Sequence, residues 1–593
     1  MKELEYPFDN DFILKKKKSL KKKLLENENK FLEKNIAILG GSTTNDIKLI
    51  LELFLLNYGI KPNFYESHYN QFYQDAMFPN KELEKFKPDI IYIHTTNRNI
   101  TSYPTIIDSK EDIEKLLISE FEKYKQMWDR LNVVYNCPII QNNFELPFYR
   151  IMGNKEASDI HGKVNYITKL NMKFYEYAES HQNFFINDIN YISASYGLDK
   201  WLDQFYWNMY KYALAVPAIP TLAFNIANII KAIFGKNKKG FVLDLDNTLW
   251  GGVIGDDGVD NILIGQEIPT GQVYSEFQKY IKEYKQLGVI LNINSKNEKE
   301  NAIAGLNHPD GELKPEDFII IKANWNPKSQ NIIDIANELN IGTDSLVFID
   351  DNPAEREIVR QQVRGVSIPE IDSPEHYINI IDKSGFFEVT NISKDDLKKS
   401  EMYKENAKRN ELMNSFSNYD DYLKSLKMKA TIKPFEPIYI SRIAQLTNKS
   451  NQFNLTTHRY TQSEIEEISN NNNYLKLYGK LEDKFGDNGV VTVVIGHKEK
   501  ETLHMDLWLM SCRVLKRDME FAMMDTLVKQ AKKNNIKEIK GYYYPTAKNG
   551  MVKNFYELQG FEKESEDAEG NSVWKLNIEK DYKIKNKFIE VNK

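Results

Sequence analysis

The hydrophobic pattern alternates short apolar runs with longer stretches whose apolar residues recur at helical spacing, the signature of α/β architecture built on parallel strands. IAIL (36–39) turns through GGSTT (40–44) into a helical pattern over 46–58, and DIIYIH (89–94) ends in TTNR (95–98). FVLD (241–244), GVILNINS (288–295) and SLVFID (345–350) are three further buried-strand runs, with helical patterns over 271–287 and 331–339 between them. Beyond residue 428 the order changes to a helix over 438–447, strands over 489–495 and 504–510, a helix over 520–534, and strands over 538–544 and 572–576, which predicts an α+β domain. The apolar helical stretch 205–236 is interrupted by Pro217 and Pro220 and reads as covering helices rather than a membrane segment. Residues 391–428 are charged, with apolar positions at helical spacing, and predict a bridging helix pair. The lysines at 15–18 and 21–23, set among Leu14, Leu20, Leu24, Leu25 and Phe31, predict a solvated basic helix that docks by its leucines.

Candidate chemistry stands at the ends of these runs. The run 241–244 ends in two carboxylates one residue apart, Asp244 and Asp246, where open α/β sheets place ligands, and period 2 puts both on one side. Two like charges so close call for a cation, and Mg2+ suits carboxylate oxygens. Ser295 closes the second run with a hydroxyl suited to a phosphate oxygen, and Lys328 of WNPK (325–328) stands where a helical pattern begins, a position that favours phosphate. The third run ends in Asp350 and Asp351.

Ordered DxDxT, Ser, Lys, Asp-Asp, these pieces resemble the motifs of haloacid-dehalogenase-like (HAD) phosphohydrolases, and DLDNTLWGGVIGDDG (244–258), SKN (295–297) and DDNPAERE (350–357) look like the FkbH-like proteins. The resemblance implies that Asp244 is the nucleophile and a Mg2+ ligand, and Asp246 the general acid/base. It implies a metal set of Asp244, Asp246, Asp350 and Asp351, with Thr248, Ser295 and Lys328 holding phosphate. It further implies transfer of a glyceryl-like acyl group from a phosphorylated donor, such as 1,3-bisphosphoglycerate, to an acyl carrier protein, in a polyketide or surface-polysaccharide pathway. Members credited with that transfer commonly carry a cysteine just before the motif-two serine, where this chain has Asn294. Three outcomes stay open: direct passage to an external thiol, acceptance by Cys512 beside Arg513, or a different substrate. Between Asp244 and Ser295 there is room for a Gly-rich flap (251–268) and one helix but no large cap, so the cleft suits a large or protein-presented substrate.

Two flanking domains carry resemblances of their own. Ser42 on its Gly-rich turn and Asn97 after the next strand resemble the nucleophile and oxyanion donor of SGNH hydrolases. Working members need an Asp-x-x-His; LDQFY (202–206) offers Tyr206 there and His181 lies elsewhere, so this domain is expected to bind or pack rather than hydrolyse. QFNLTT (452–457), FGDNG (485–489), SCRVL (511–515), PTAKN (545–549) and NFYELQGF (554–561) resemble GNAT acyltransferases. The loop RVLKRD (513–518) replaces the usual pyrophosphate-binding glycines with a lysine and an acid, which disfavours free CoA and leaves phosphopantetheine open.

The expected fold class is therefore multidomain α/β, divided into a basic helical segment (1–34), an SGNH- or flavodoxin-like domain (35–235), a HAD-like domain with minimal cap (236–390), a helical linker (391–427), a GNAT-like α+β domain (428–578) and a charged tail (579–593). A net charge of −6 over 593 residues gives no electrostatic case for nucleic acid. With only Cys137 and Cys512, no secretory h-region and no apolar run of membrane-spanning length, the chain reads as cytoplasmic. Two alternatives remain beside acyl transfer: a plain phosphatase with inert flanks, and a non-catalytic scaffold.

Overall fold

The computed structural model describes residues 1–26, 31–392, 397–450, 452–546, 548–579 and 582–592, apart from the side chains of Glu411 and Asn414. The chain forms two compact units, Met1–Ile233 with Glu388–Asn391, and Phe234–Phe387 with Ile392–Lys593.

The first unit is a five-stranded parallel sheet ordered β2-β1-β3-β4-β5, from β1 (Leu32–Gly40), β2 (Ile60–Glu66), β3 (Ile90–His94), β4 (Ile139–Asn142) and β5 (Phe184–Asn187). Ala37, Leu39, Ile91 and Ile93 bury one face against Trp128 and Phe174. The helices Asn45–Asn57 and Ile219–Ile233 pack on each other, with Phe54 and Phe224 edge to face at 5.1 Å. The window Val216–Ile233 is long and apolar enough to cross a membrane, yet 72% of it is buried within the protein, as expected of a covering helix. The basic helix Asn10–Leu25 docks through Ile13, Leu20 and Leu24 and joins Lys17 to Asp46 (2.7 Å) and Lys21 to Glu52 (2.7 Å). Residues 27–30 of the predicted basic helical segment lie outside the described residues, and its end, from Leu32, belongs to β1 instead.

The second unit holds two sheets. The four-stranded parallel sheet β8-β7-β6-β9 comprises β6 (Gly240–Leu243), β7 (Ile290–Ser295), β8 (Ile320–Ala323) and β9 (Leu346–Ile349). Both faces are covered, as parallel sheets require. Phe241, Leu243, Leu291, Ile293, Val347 and Ile349 meet Phe277 and Ile281 of helix Pro269–Gln286, whereas Val242, Ile290 and Phe348 meet Ile332 and Ile335 of helix Lys328–Glu338. Between β6 and helix Pro269–Gln286 stand only the short turns Ile254–Asp257 and Val259–Asn261.

The nine-stranded sheet runs β16-β17-β15-β14-β13-β12-β10-β18, with β11 beside β14. Its strands are β10 (Met428–Pro434), β11 (Phe453–Asn454), β12 (Tyr474–Asp483), β13 (Gly486–Glu499), β14 (Thr502–Met510), β15 (Glu538–Tyr543), β16 (Glu562–Glu566), β17 (Ser572–Asn577) and β18 (Ile589–Asn592). Helix Met519–Lys533 packs on one face, and helices Ile440–Lys449 and Gln462–Asn470 on the other.

The predicted charged tail and helical linker are both packed into this unit. The charged tail is built into the sheet: Asp525 gathers the backbone N–H groups of Lys585 (3.1 Å) and Asn586 (2.9 Å), and β18 then pairs parallel with β10 and buries Ile589. Within 391–427, residues 393–396 lie outside the described residues, but helix Lys399–Asn414 is packed into the unit, because its buried Arg409 forks onto Asp483 at 2.8 and 2.6 Å.

Candidate active site

The loop after β6 departs from strand geometry at once, which decides where its carboxylates point. Asn247 sits in the left-handed region at φ 53°, a conformation asparagine tolerates, and its Oδ1 accepts from Gly252 N (2.9 Å). Asp244, the first residue past the strand, is buried and pairs through Oδ2 with Lys328 Nζ at 2.9 Å. The same Nζ donates to Asp350 Oδ2 at 2.6 Å, so one ammonium bridges two buried carboxylates. Asp351 joins them: Asp244, Asp350 and Asp351 each offer an oxygen within 4.8 Å of the others.

Burial, and then the Asp244 charge, raise the proton affinity of both Asp350 and Asp351, with Lys328 opposing. Burial disfavours the Lys328 charge, but Asp244 and Asp350 outweigh it and hold the amine protonated. Three carboxylates thus face one ammonium, and Asp244 Oδ1 is buried with no hydrogen-bond partner among the described residues. That oxygen and the surplus negative charge fit a hard divalent cation.

The Asp246 side chain, expected in the metal set, is not one of this trio. Its Oδ1 accepts from Trp250 Nε1 (2.9 Å) and Ile254 N (3.1 Å), and its Oδ2 from Asn297 Nδ2 (2.7 Å). Period 2 fails as a guide because β6 ends at Leu243 and the loop, not the strand, aims the side chain. Asn297 also donates to Ser295 Oγ at 3.3 Å and so ties the second motif to the first. Thr248 Oγ1 accepts from Asp351 N at 3.2 Å, tying the first motif to the last.

Sequence reasoning missed the supports. The buried Arg356 donates to the carbonyls of Asp350 and Asp351, both at 2.8 Å, and its place in DDNPAERE, one helical turn after the pair, was the available signal. Asn294 is fully buried, donates to Lys328 O (2.9 Å) and accepts from Asn331 Nδ2 (3.0 Å), so it anchors the start of the lysine's helix.

Cys512 is half-buried, with its carbonyl accepting from Asn340 Nδ2 at 2.7 Å, and the buried Arg513 turns its guanidinium to Ser511 Oγ and Met402 Sδ. In the loop 513–518, Arg517 reaches inward to Asp483 (3.2 Å) and Asn406 (2.6 Å), which spends its charge within the protein. In the first unit Ser42 is buried, and its Oγ has no hydrogen-bond partner among the described residues. Asn97, expected as an oxyanion donor, gives its amide to the carbonyls of Glu145 (3.2 Å) and Leu146 (3.3 Å) and is committed to holding that loop. Asp203 caps helix Gln204–Tyr210, and His181 stacks on Tyr177. The histidine that sequence reasoning overlooked is His94, whose carbonyl accepts from Gly41 N at 2.8 Å and whose ring burial pushes down to a pKa of about 4.

Comparison with known proteins bears on both units. Residues 35–231 match the family model described as FkbH, N-terminal domain. The N-terminal part of BF1531 from Bacteroides fragilis, described as containing a phosphatase domain complexed with Mg, is 30% identical over 63% of this chain and 99% of that one, with a TM-score of 0.59. The chain belongs to the same family as BF1531. Ard1 from Thermoplasma volcanium (17% identity, 25% of this chain, 97% of that one) and the PaiA N-acetyltransferase from Thermoplasma acidophilum in complex with coenzyme A (15%, 25%, 99%) align at TM-scores of 0.20. No curated protein matches the chain.

Proposed function

We propose that this BF1531-family chain is a Mg2+-dependent, phosphatase-type enzyme that couples loss of phosphate to transfer of a small, glyceryl-like acyl group from a phosphorylated donor onto the thiol of an acyl carrier protein. The observation that carries the phosphatase part is Asp244, held by Lys328 through one oxygen while the other is buried with no hydrogen-bond partner among the described residues. The Mg complex of the 30% identical protein supports the choice of cation. Bound by Asp244, Asp350 and Asp351, Mg2+ would neutralise the trio and draw charge from a phosphate oxygen.

The chain's own residues then account for the hydrolytic chemistry. The Asp244 carboxylate forms a bond to phosphorus as the bond to the leaving oxygen breaks, and Asp246 supplies that oxygen's proton. Asp246 next takes a proton from water, whose oxygen displaces Asp244 and releases phosphate. Asn297, Trp250 and Ile254 N keep the Asp246 carboxylate in place for both transfers. Lys328, Thr248 and Ser295 hold phosphate in this reading. In the acyl-transfer version the carrier sulfur bonds to the donor's carbonyl carbon, the carbon–oxygen bond to phosphate breaks, and the thiol proton leaves with phosphate.

A plain phosphatase is the second reading, favoured by Asn294: a buried amide locked between Lys328 O and Asn331 cannot hold an acyl group as a thioester. The test is incubation of the purified chain with 1,3-bisphosphoglycerate and candidate carrier proteins, followed by intact-mass measurement of the carriers. A glyceryl adduct that disappears in Asp244→Asn supports acyl transfer. Phosphate release with unmodified carriers leaves the plain phosphatase.

A further inference from the structure

β13 and β14 extend past the helices that cover one face of the nine-stranded sheet. On that face Val493, Ile495, Leu507 and Leu509 are core residues packed with helices Ile440–Lys449 and Gln462–Asn470. The same alternation carries His497 and Glu499 onto that face, where their side chains are 42% and 68% exposed. Across the antiparallel ladder His497 pairs directly with His504. The register then slips from Gly496↔Met505 to Ile495↔Leu507, so Asp506 is a bulged residue. Met505 lies in the core of the opposite face, which puts His504 and Asp506 together on the face of His497.

The side chains are mutually oriented. His497 Nδ1 is 2.7 Å from Asp506 Oδ1; a carboxylate there accepts, so Nδ1 carries the proton and the lone pair of the neutral ring sits on Nε2. His504 Nδ1 is 2.7 Å from the Tyr542 hydroxyl, and its Nε2 is 3.5 Å from Glu499 Oε2. The two rings stack at 4.9 Å and 12°. His497, Glu499 and His504 each offer one ligand atom within 4.8 Å of the others.

We infer that His497, His504 and Glu499 form a second metal site, selective for a Zn2+-class ion, in which Asp506 and Tyr542 orient the two imidazoles. Two imidazole nitrogens and one carboxylate are a borderline-soft donor set that Mg2+ does not favour, so the site is chemically distinct from the Asp244 group. Closing the ligand atoms onto a tetrahedral ion at about 2.1 Å needs side-chain rotation of roughly an ångström, within reach of exposed residues. Three protein ligands leave one coordination position for water or a substrate group. A carboxylate on the distal nitrogen of a ligating histidine both fixes the tautomer and raises its basicity, the part assigned to Asp506.

The test uses the full chain in excess Mg2+, which occupies the carboxylate trio, titrated with Zn2+ against a chromogenic chelator and separately with Co2+ followed by visible absorption. One equivalent of Zn2+ should bind, and Co2+ should develop the intense bands of a low-coordinate, nitrogen-ligated ion. His504→Ala should weaken Zn2+ binding at least ~100-fold, and Asp506→Asn by about 10–100-fold. Glu499→Gln, at an exposed position, guards against misfolding and should also weaken binding, whereas Cys512→Ala should leave it unchanged. Zn2+ affinity unaffected by His504→Ala and Glu499→Gln, or a Co2+ spectrum indistinguishable from the aquo ion, would overturn the site.

Discussion

Both units place polar residues at the carboxyl ends of a parallel sheet, yet the two ends solve burial in opposite ways. In the first, the groups are neutral. His94 Nδ1 accepts from Asn142 Nδ2 (3.0 Å), whose orientation is set by Thr95 O, and Asn142 passes the chain of amides to Asn187 (2.7 Å) and Asn225. His94 is pushed down to a pKa of about 4, and Glu145 is raised to about 7, both chiefly by burial. In the second the groups are ionisable side chains around one ammonium, with Lys328 within 3 Å of both Asp244 and Asp350. A strand end collects polar side chains in either case; a counter-charge is what makes ionic chemistry available there.

The largest expected effect breaks the charged end. Asp244→Asn should lower phosphate release by at least ~10³-fold with the fold intact, since an amide neither attacks phosphorus nor neutralises a cation. A malachite-green assay checks it, and turnover close to wild type would falsify the assignment. Next, Lys328→Met leaves two buried carboxylates unpaired and should cost about 3–5 kcal/mol in urea denaturation without Mg2+, with part of the loss restored by Mg2+.

The neutral end gives a pH signature of its own. Because the folded-state pKa of His94 is depressed, the unfolded chain takes up the proton first as pH falls below 6.5, and stability declines until about pH 4, by roughly 3 kcal/mol. Glu145 works the other way: its raised folded-state pKa makes stability fall as pH rises from 4.5 to 7. His94→Gln should therefore lose its disadvantage relative to wild type as pH drops from 6.5 to 4, seen in paired denaturation curves. At the charged end, the raised proton affinity of Asp350 and Asp351 means that Mg2+ affinity should weaken on acidification at a higher pH than an ordinary aspartate, near 3.9, would require. Calorimetric Mg2+ titrations across pH 5–8 would show a flat profile if those carboxylates were unperturbed. The smallest effects belong to Ser42→Ala and Cys512→Ala, each expected to change phosphate release by less than ~3-fold; a loss of ~100-fold would make either residue a catalytic group.

The sequence by itself determined the strands and the chemistry at their tips, because apolar periodicity and the breaks that follow it are local properties. The runs ending at Asp244, Ser295 and Asp350, and the helix beginning at Lys328, stand where the pattern predicts, within about three residues. Tertiary structure alone decided orientation and partnership. Asp246 turns to Asn297 because a left-handed Asn247 redirects the loop, Arg356 folds back onto the Asp350 and Asp351 carbonyls, and Asn97 is used up on the 145–146 backbone. His94 reads as one more polar residue in a string of letters, and only the meeting of β3 with β4 sets Asn142 against its ring beside Tyr92. The tail shows the same limit: its charges suggested solvent, but a long-range pairing with β10, stabilised by Asp525 some sixty residues away, outweighs that local preference. Side-chain direction in loops and the capture of distant segments depend on contacts between residues far apart in the chain, and local pattern carries no information about them.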